Sequence, residues 1–197
     1  MRRRVAREAA VLLYTSQEKE FKQAKERAAE SLGARVLPSN LEVAEELDRI
    51  ADEFEGSERQ ARLIRMRREA LRLMEALEKF QPRLIGSVWR GTARRNSDID
   101  IEVFSSDLES VLEELRGRGF EVVEVERVTA ARNKDVVEST HIYLTLESGE
   151  KAEVIIRNPE EMGKERLCEI YGDPVRGLGL RELQRVLRED PLKRFVP

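Results

Sequence analysis

Two aspartates, Asp98 and Asp100, separated by a single isoleucine, are the residues of this chain best placed to do chemistry. They sit in Ser97-Asp98-Ile99-Asp100-Ile101-Glu102-Val103, where acidic and apolar residues alternate. In an extended strand alternate side chains share a face, so Ile99, Ile101 and Val103 turn towards a core while Asp98, Asp100 and Glu102 turn together to the other side. Carboxylates gathered on one face repel one another, and the cluster is costly unless cations are held there. Hard divalent ions with oxygen ligands are the natural occupants. Glu102 reads as a flanking surface residue rather than a ligand.

Ahead of this strand, Gly86-Ser87 follows an apolar run and opens a turn into a short helix. Glycine lets a backbone approach a ligand closely, and exposed N–H groups with a serine hydroxyl receive phosphate oxygens. Phosphate donors and a carboxylate pair at one end of a sheet suit phosphoryl chemistry, in which metal ions bridge a triphosphate and stabilise the leaving pyrophosphate.

Composition narrows the alternatives. The chain has one cysteine, Cys168, and one histidine, His141, so cysteine-based and multi-histidine metal sites are excluded and any metal is held by oxygen. With 36 basic and 39 acidic residues in 197, the net charge of -3 offers no general positive field, and nucleic acid would have to meet a local basic face. No apolar run approaches the roughly 20 residues of a membrane span. The start, Arg2-Arg3-Arg4-Val5-Ala6-Arg7-Glu8, is too charged for a signal-peptide core. The expectation is a cytoplasmic protein with no membrane segment.

The first 80 residues read as helical throughout. One helix is expected from Val5 to about Leu32, stopped at Gly33. A second, capped by Ser39 or Asn40, breaks at Gly56-Ser57, and a third runs from Glu58 to Phe80 with Ala61, Ile64, Ala70, Leu71, Met74 and Leu77 as its buried stripe. Its arginines Arg62, Arg65, Arg67, Arg68 and Arg72 interleave with Glu58, Glu69, Glu75 and Glu78, which reads as an exposed, salt-bridged face.

Beyond Gln81-Pro82 short β-branched runs predict strands at Arg83–Ile85, Asp98–Phe104, Phe120–Val128, Thr140–Leu146 and Lys151–Ile156, with a helix at Asp107–Arg116. Ser148-Gly149-Glu150 is a tight turn, so the last two strands are antiparallel neighbours. Helices are expected at Pro159–Ile170 and Leu180–Arg188. The fold class is α/β (α+β): a mixed, mostly antiparallel sheet of about five strands with helices on one face, preceded by a helical N-terminal region. The regions divide as 1–57 helical, 58–157 core and 158–197 a short helical close.

Gly-Ser, ten residues, then Asp-x-Asp resembles the signature of the DNA polymerase β-like nucleotidyltransferase superfamily, and Arg90-Gly91 is seen in many of its minimal members. The resemblance covers roughly Glu58 to Arg157. It implies a polymerase-β-like core and a third carboxylate on a later strand, for which Glu153 in Ala152-Glu153-Val154-Ile155 is well placed. It implies two Mg²⁺ ions, or Mn²⁺, held by Asp98, Asp100 and Glu153. Within the superfamily the core is similar to archaeal CCA-adding enzymes, which implies triphosphate contacts from Ser87, Arg90 and His141, and from Lys164 in the segment after the core, beside the backbone at Gly86 that the turn itself offers.

The function expected is transfer of an NMP from an NTP, ATP or CTP, to an acceptor hydroxyl such as an RNA 3′ end, with release of pyrophosphate. A protein hydroxyl as acceptor, and a catalytically silent nucleotide-binding or interaction module, are the alternatives. A silent module shows no metal-dependent pyrophosphate release, which separates it from the enzyme.

Overall fold

The computed structural model describes the backbone of residues 1–132 and 135–197 and the side chains of 1–129 and 138–197. Two units emerge. The first comprises Met1–Arg59 with Leu167–Pro174 and Pro197; the second comprises Gln60–Arg166 and Val175–Val196.

In the first unit, α1 (Arg2–Tyr14) and α2 (Phe21–Ser31) replace the single helix expected from Val5 to Leu32. The break has a local cause. Thr15 turns its hydroxyl onto the Val11 carbonyl at 2.8 Å and Ser16 takes a left-handed φ of 57°, so the Leu12 carbonyl receives the Gln17 N–H instead of a helical partner. Val5, Ala9, Leu13, Ala24 and Ala28 form one apolar cluster with Val43, Leu47 and Ile50 of α3 (Asn40–Ala76). Ser39 caps α3 in a reciprocal box: the Glu42 N–H donates to Ser39 Oγ at 3.1 Å and the Ser39 N–H to Glu42 Oε2 at 2.6 Å. At Gly56, with φ 53° and ψ −132°, the helical path is interrupted, where the glycine predicts a stop.

The second unit holds a six-stranded sheet in the order β3-β4-β5-β2-β1-β6. Its strands are β1 (Arg83–Ile85), β2 (Ile99–Phe104), β3 (Glu121–Arg132), β4 (Asp135–Thr145), β5 (Lys151–Arg157) and β6 (Leu178–Gly179). Among the described residues only β2 and β5 pair in parallel. Short α4 (Gly86–Arg90) follows β1, α5 (Leu108–Gly117) follows β2 with Asp107 as its cap, and α6 (Leu180–Glu189) follows β6. Ile99, Ile101, Val103, Ile142, Leu144 and Val154 share a core with Leu63, Met66, Ala70, Leu73, Met74 and Leu77 of α3, with Val111 and Leu115 of α5 and with Leu183 of α6.

Several expectations need correction. The buried stripe of α3 contains Ala70, Met74 and Leu77 as expected, but it is wider: Leu63, Met66 and Leu73 are buried as well, Ile64 and Leu71 are half-buried, and Ala61 is exposed. Arg67, read as part of an exposed face, is fully buried. No helix spans Pro159–Ile170; a single 3₁₀ turn, Pro159–Glu161, is followed by irregular chain in which Gly163 at φ 85° and Gly172 at φ 75° take backbone angles that a helix does not use. Strand β6 is two residues long, too short to leave a periodic signal. Among the described residues no helix is long and apolar enough to cross a membrane.

Candidate active site

Alternation works on β2 as its sequence dictates: Ile99, Ile101 and Val103 are fully buried, and Asp100 lies on the opposite face. Asp98 immediately precedes the strand and is exposed. The parallel register of β2 on β5 sets Asp100 directly against Glu153, while the antiparallel register of β1 sets Ile85 against Asp100. Gly86 therefore leaves β1 beside the carboxylate. Its φ is 70°, and a Cβ added there would fall 1.9 Å from Asp100 Oδ2. Glycine is required twice over, for the backbone angle and for the space the carboxylate fills.

The electrostatics follow from this crowding. Burial, then Glu153 and Asp98, push the Asp100 pKa up to about 8. Asp98 is exposed as a residue, but partial desolvation of its carboxyl still raises its pKa, with Lys151 acting against the shift and Glu153 and Glu150 with it. Tyr143, the register partner of Glu153 on β4, is pushed up to about 12 by burial and by Glu153 and Glu126.

Glu153 is not aimed at the aspartates alone. Its Oε1 lies 2.5 Å from His141 Nδ1, and His141 Nε2 lies 2.8 Å from Ser139 Oγ. His141, for which the resemblance implies a phosphate contact, thus holds a carboxylate in this structure.

Ser87, half-buried, is the second residue of α4. Arg90 is buried, its Nη1 donating to the Phe195 carbonyl at 2.9 Å and its guanidinium 4.2 Å from the Trp89 ring centre. Lys164 is exposed, on the irregular chain after Gly163 rather than on the expected helix.

Glu102 is not the surface residue expected. It is 2% exposed and its Oε2 accepts from Arg157 Nε at 3.1 Å and from Arg166. Removing one partner of a buried pair leaves the other charges uncompensated, so Glu102→Gln is expected to destabilise the protein by about 3 kcal/mol. Urea unfolding checks this; an unchanged midpoint would show that Arg157 and Arg166 find other acceptors.

Sequence reasoning missed Arg67, Arg157, Arg166 and Ser139. Ser139 carries a usable signal, since it lies two residues from His141 and shares its strand face. For the arginines, nothing local marks which ones turn inward.

The donor chemistry of Asp98, Asp100 and Glu153 fits a hard divalent cation, and the raised Asp100 pKa records burial first and the like charges of Glu153 and Asp98 second, both of which such an ion would offset. As they stand the carboxylates do not converge: among the described residues no three His, Cys, Asp or Glu side chains form a group disposed to hold a metal.

Comparison with known proteins bears on this arrangement. The family model for the nucleotidyltransferase domain matches residues 64–162, which include Gly86, Asp98, Asp100 and Glu153. No curated protein matches the chain. A solved structure of a cytoplasmic RNA terminal U-transferase aligns at 24% identity and a TM-score of 0.33, over 60% of this chain and 35% of that one. The chain spans about a third of the length of that enzyme.

Proposed function

Because the chain belongs to the nucleotidyltransferase domain family, and so to the transferases of nucleotidyl groups, we propose that it moves an NMP from an NTP to an acceptor hydroxyl in a metal-dependent reaction centred on Asp98, Asp100 and Glu153. The observation that carries this reading is the parallel pairing of β2 and β5, which sets Asp100 against Glu153 with Gly86 packed on the Asp100 carboxylate. When bound, Mg²⁺ or Mn²⁺ neutralises triphosphate charge and makes the acceptor hydroxyl easier to deprotonate.

The chain's own residues have separable tasks. Gly86 and Ser87 receive the phosphate oxygens of ATP or CTP through backbone N–H groups and a hydroxyl, and their place beside Asp100 aligns the α-phosphorus with the carboxylates. His141, tethered by Ser139, holds Glu153 ready to turn towards the aspartates. The acceptor hydroxyl gives its proton to a neighbouring carboxylate or to water, its oxygen bonds to the α-phosphorus, the bond from that phosphorus to the oxygen bridging the β-phosphate breaks, and pyrophosphate leaves with the electron pair.

Glu153→Gln is expected to slow transfer on the order of 100-fold while NTP affinity falls only a few-fold, because the Gly86-Ser87 turn and the two aspartates remain. Single-turnover rates beside equilibrium NTP titrations check this, and equal losses in both would remove Glu153 from the chemical step.

The acceptor in this proposal is an RNA 3′ end, with a protein hydroxyl as the second reading. A specific observation favours the second: Arg65 pairs with Glu150 at 2.9 Å and Arg72 with Glu69 at 3.3 Å, so two arginines of the basic run are engaged with carboxylates. Incubating the protein and Mg²⁺ with each α-labelled NTP, cellular RNA and cellular protein tests both. Label in RNA supports the first reading and label in a protein band the second. No label and no pyrophosphate above the metal-free blank would sink the enzyme reading.

A further inference from the structure

Among the described residues the largest fully buried side chain is a cation, Arg67. Its guanidinium donates to four carbonyls: Val88 at 3.1 Å, Trp89 at 3.0 Å, Pro191 at 2.8 Å and Lys193 at 2.8 Å. Burial lowers its pKa to about 10, with the nearby Asp190 acting against that shift. The first two acceptors belong to the last turn of α4, a five-residue helix with no further turn to satisfy them. The other two belong to the segment after α6, which then locks onto α4: the Phe195 N–H donates to the Arg90 carbonyl at 3.0 Å and Arg90 Nη1 donates back to the Phe195 carbonyl. Gly91 makes room for this segment, since a Cβ there would meet the Lys193 carbonyl at 3.0 Å.

A helix of five residues does not hold itself in place, because nucleation costs more than its few internal bonds return. The orientation of α4, and with it the Gly86-Ser87 turn at its start, is set by what grips its far end. We propose that Arg67 is a positioning residue for nucleotide: by tying α4 to residues 191–195 it holds the Gly86-Ser87 turn against Asp100 in the pose that receives the triphosphate. This rests on the reading of that turn as the triphosphate site. The carboxylates themselves lie on β5, on β2 and just ahead of β2, and make none of the bonds to Arg67, so nucleotide binding and metal binding depend on different parts of the framework. Lysine at position 67 keeps a charge but has three donors on one nitrogen in place of a planar fork, and reaches only part of the carbonyl set.

The test is binding, measured on the full chain with two variants, Arg67→Lys and Gly91→Ala, the second pressing on the Lys193 carbonyl and straining the left-handed backbone (φ 76°) at the end of α4 without touching Arg67. Each is titrated with a non-hydrolysable ATP or CTP analogue in the presence of Mn²⁺, and with Mn²⁺ alone by electron paramagnetic resonance; circular dichroism reports folding. Analogue affinity is expected to fall on the order of 10-fold in both variants while affinity for Mn²⁺ alone stays within about two-fold of wild type. A folded variant with wild-type analogue affinity would overturn the inference, as would parallel loss of analogue and Mn²⁺ binding, which marks general loosening. If Arg67→Lys does not fold, Gly91→Ala decides alone. Wild-type protein that binds Mn²⁺ but no analogue overturns the functional reading and this inference with it, an outcome distinct from normal wild-type binding unchanged in the variants.

Discussion

Asp100→Asn is expected to abolish turnover and, in metal-free buffer at pH 8, to raise the melting temperature. Both effects come from one cause. The carboxylate is crowded by burial, Glu153 and Asp98, so its folded-state pKa stands at about 8 against an ordinary value near 3.8. An acid whose pKa is raised by folding costs nothing below its unfolded pKa. The penalty grows as pH rises through the interval between the two values and is complete above the folded one. Wild type and variant should therefore have similar melting temperatures near pH 4 and diverge towards pH 8. There the variant should melt several degrees above wild type. Mn²⁺ or Mg²⁺ should raise the melting temperature of wild type and leave the variant nearly unmoved. Asp98→Asn should follow the same pattern with a smaller thermal gain, since Asp98 is exposed. Full activity in either variant, or a melting temperature lowered at pH 8, would assign the aspartates a structural role.

Gly86→Ala should be nearly as damaging to activity, for steric reasons. The new methyl group would lie 1.9 Å from Asp100 Oδ2 and 3.2 Å from Asp100 Cβ, and the φ of 70° is one that L side chains rarely adopt. The backbone angle alone costs about 1–2 kcal/mol. The carboxylate must also swing away from Glu153, so turnover is expected to fall 100-fold or more. Because the clash is with one side chain, a double-mutant cycle isolates it: Gly86→Ala should cost less stability in an Asp100→Ala background, where Oδ2 and Cγ are gone. Equal costs in both backgrounds would place the damage in the backbone angle alone, and wild-type turnover in Gly86→Ala would discard the close packing as a functional feature.

What could be read in advance was what the chain encodes locally. The alternation around Asp98 and Asp100 predicts one apolar and one acidic face, and the faces are there because a pleat offers no other arrangement. Ser148-Gly149-Glu150 predicts the β4–β5 hairpin, and the register pairs Thr145 with Lys151. Gly56 predicts the interruption in α3. Features set by distant partners were not legible. The parallel pairing of β2 with β5 depends on strands far apart in the chain, so the facing of Asp100 and Glu153 has no signature in either segment by itself. Arg67 sits in a run of arginines that look alike; its burial is decided by carbonyls on α4 and on residues 191 and 193. The partnership of His141 with Glu153 needs the antiparallel register that sets Tyr143 against Glu153 and His141 against Ile155. The break after α1 was missed because Thr15 and Ser16 interrupt helix-forming residues without glycine or proline to mark the place.

The sheet order also dictates a sequence of events during folding. Strands β3, β4 and β5 follow one another along the chain as antiparallel neighbours and form from short-range contacts. Joining β2 to β5 instead closes a loop of roughly fifty residues, an entropic cost that must be met before the parallel contacts repay it. The same closure brings Asp98 and Asp100 up to Glu153, so the mutual repulsion of the carboxylates adds to its cost rather than to that of the hairpins. Amide protons bridging β2 and β5 should therefore exchange as one group and earlier than those bridging β4 and β5. Until β2 is seated, a partly folded chain carries the two halves of its carboxylate cluster on separate pieces and has nothing with which to gather a cation between them.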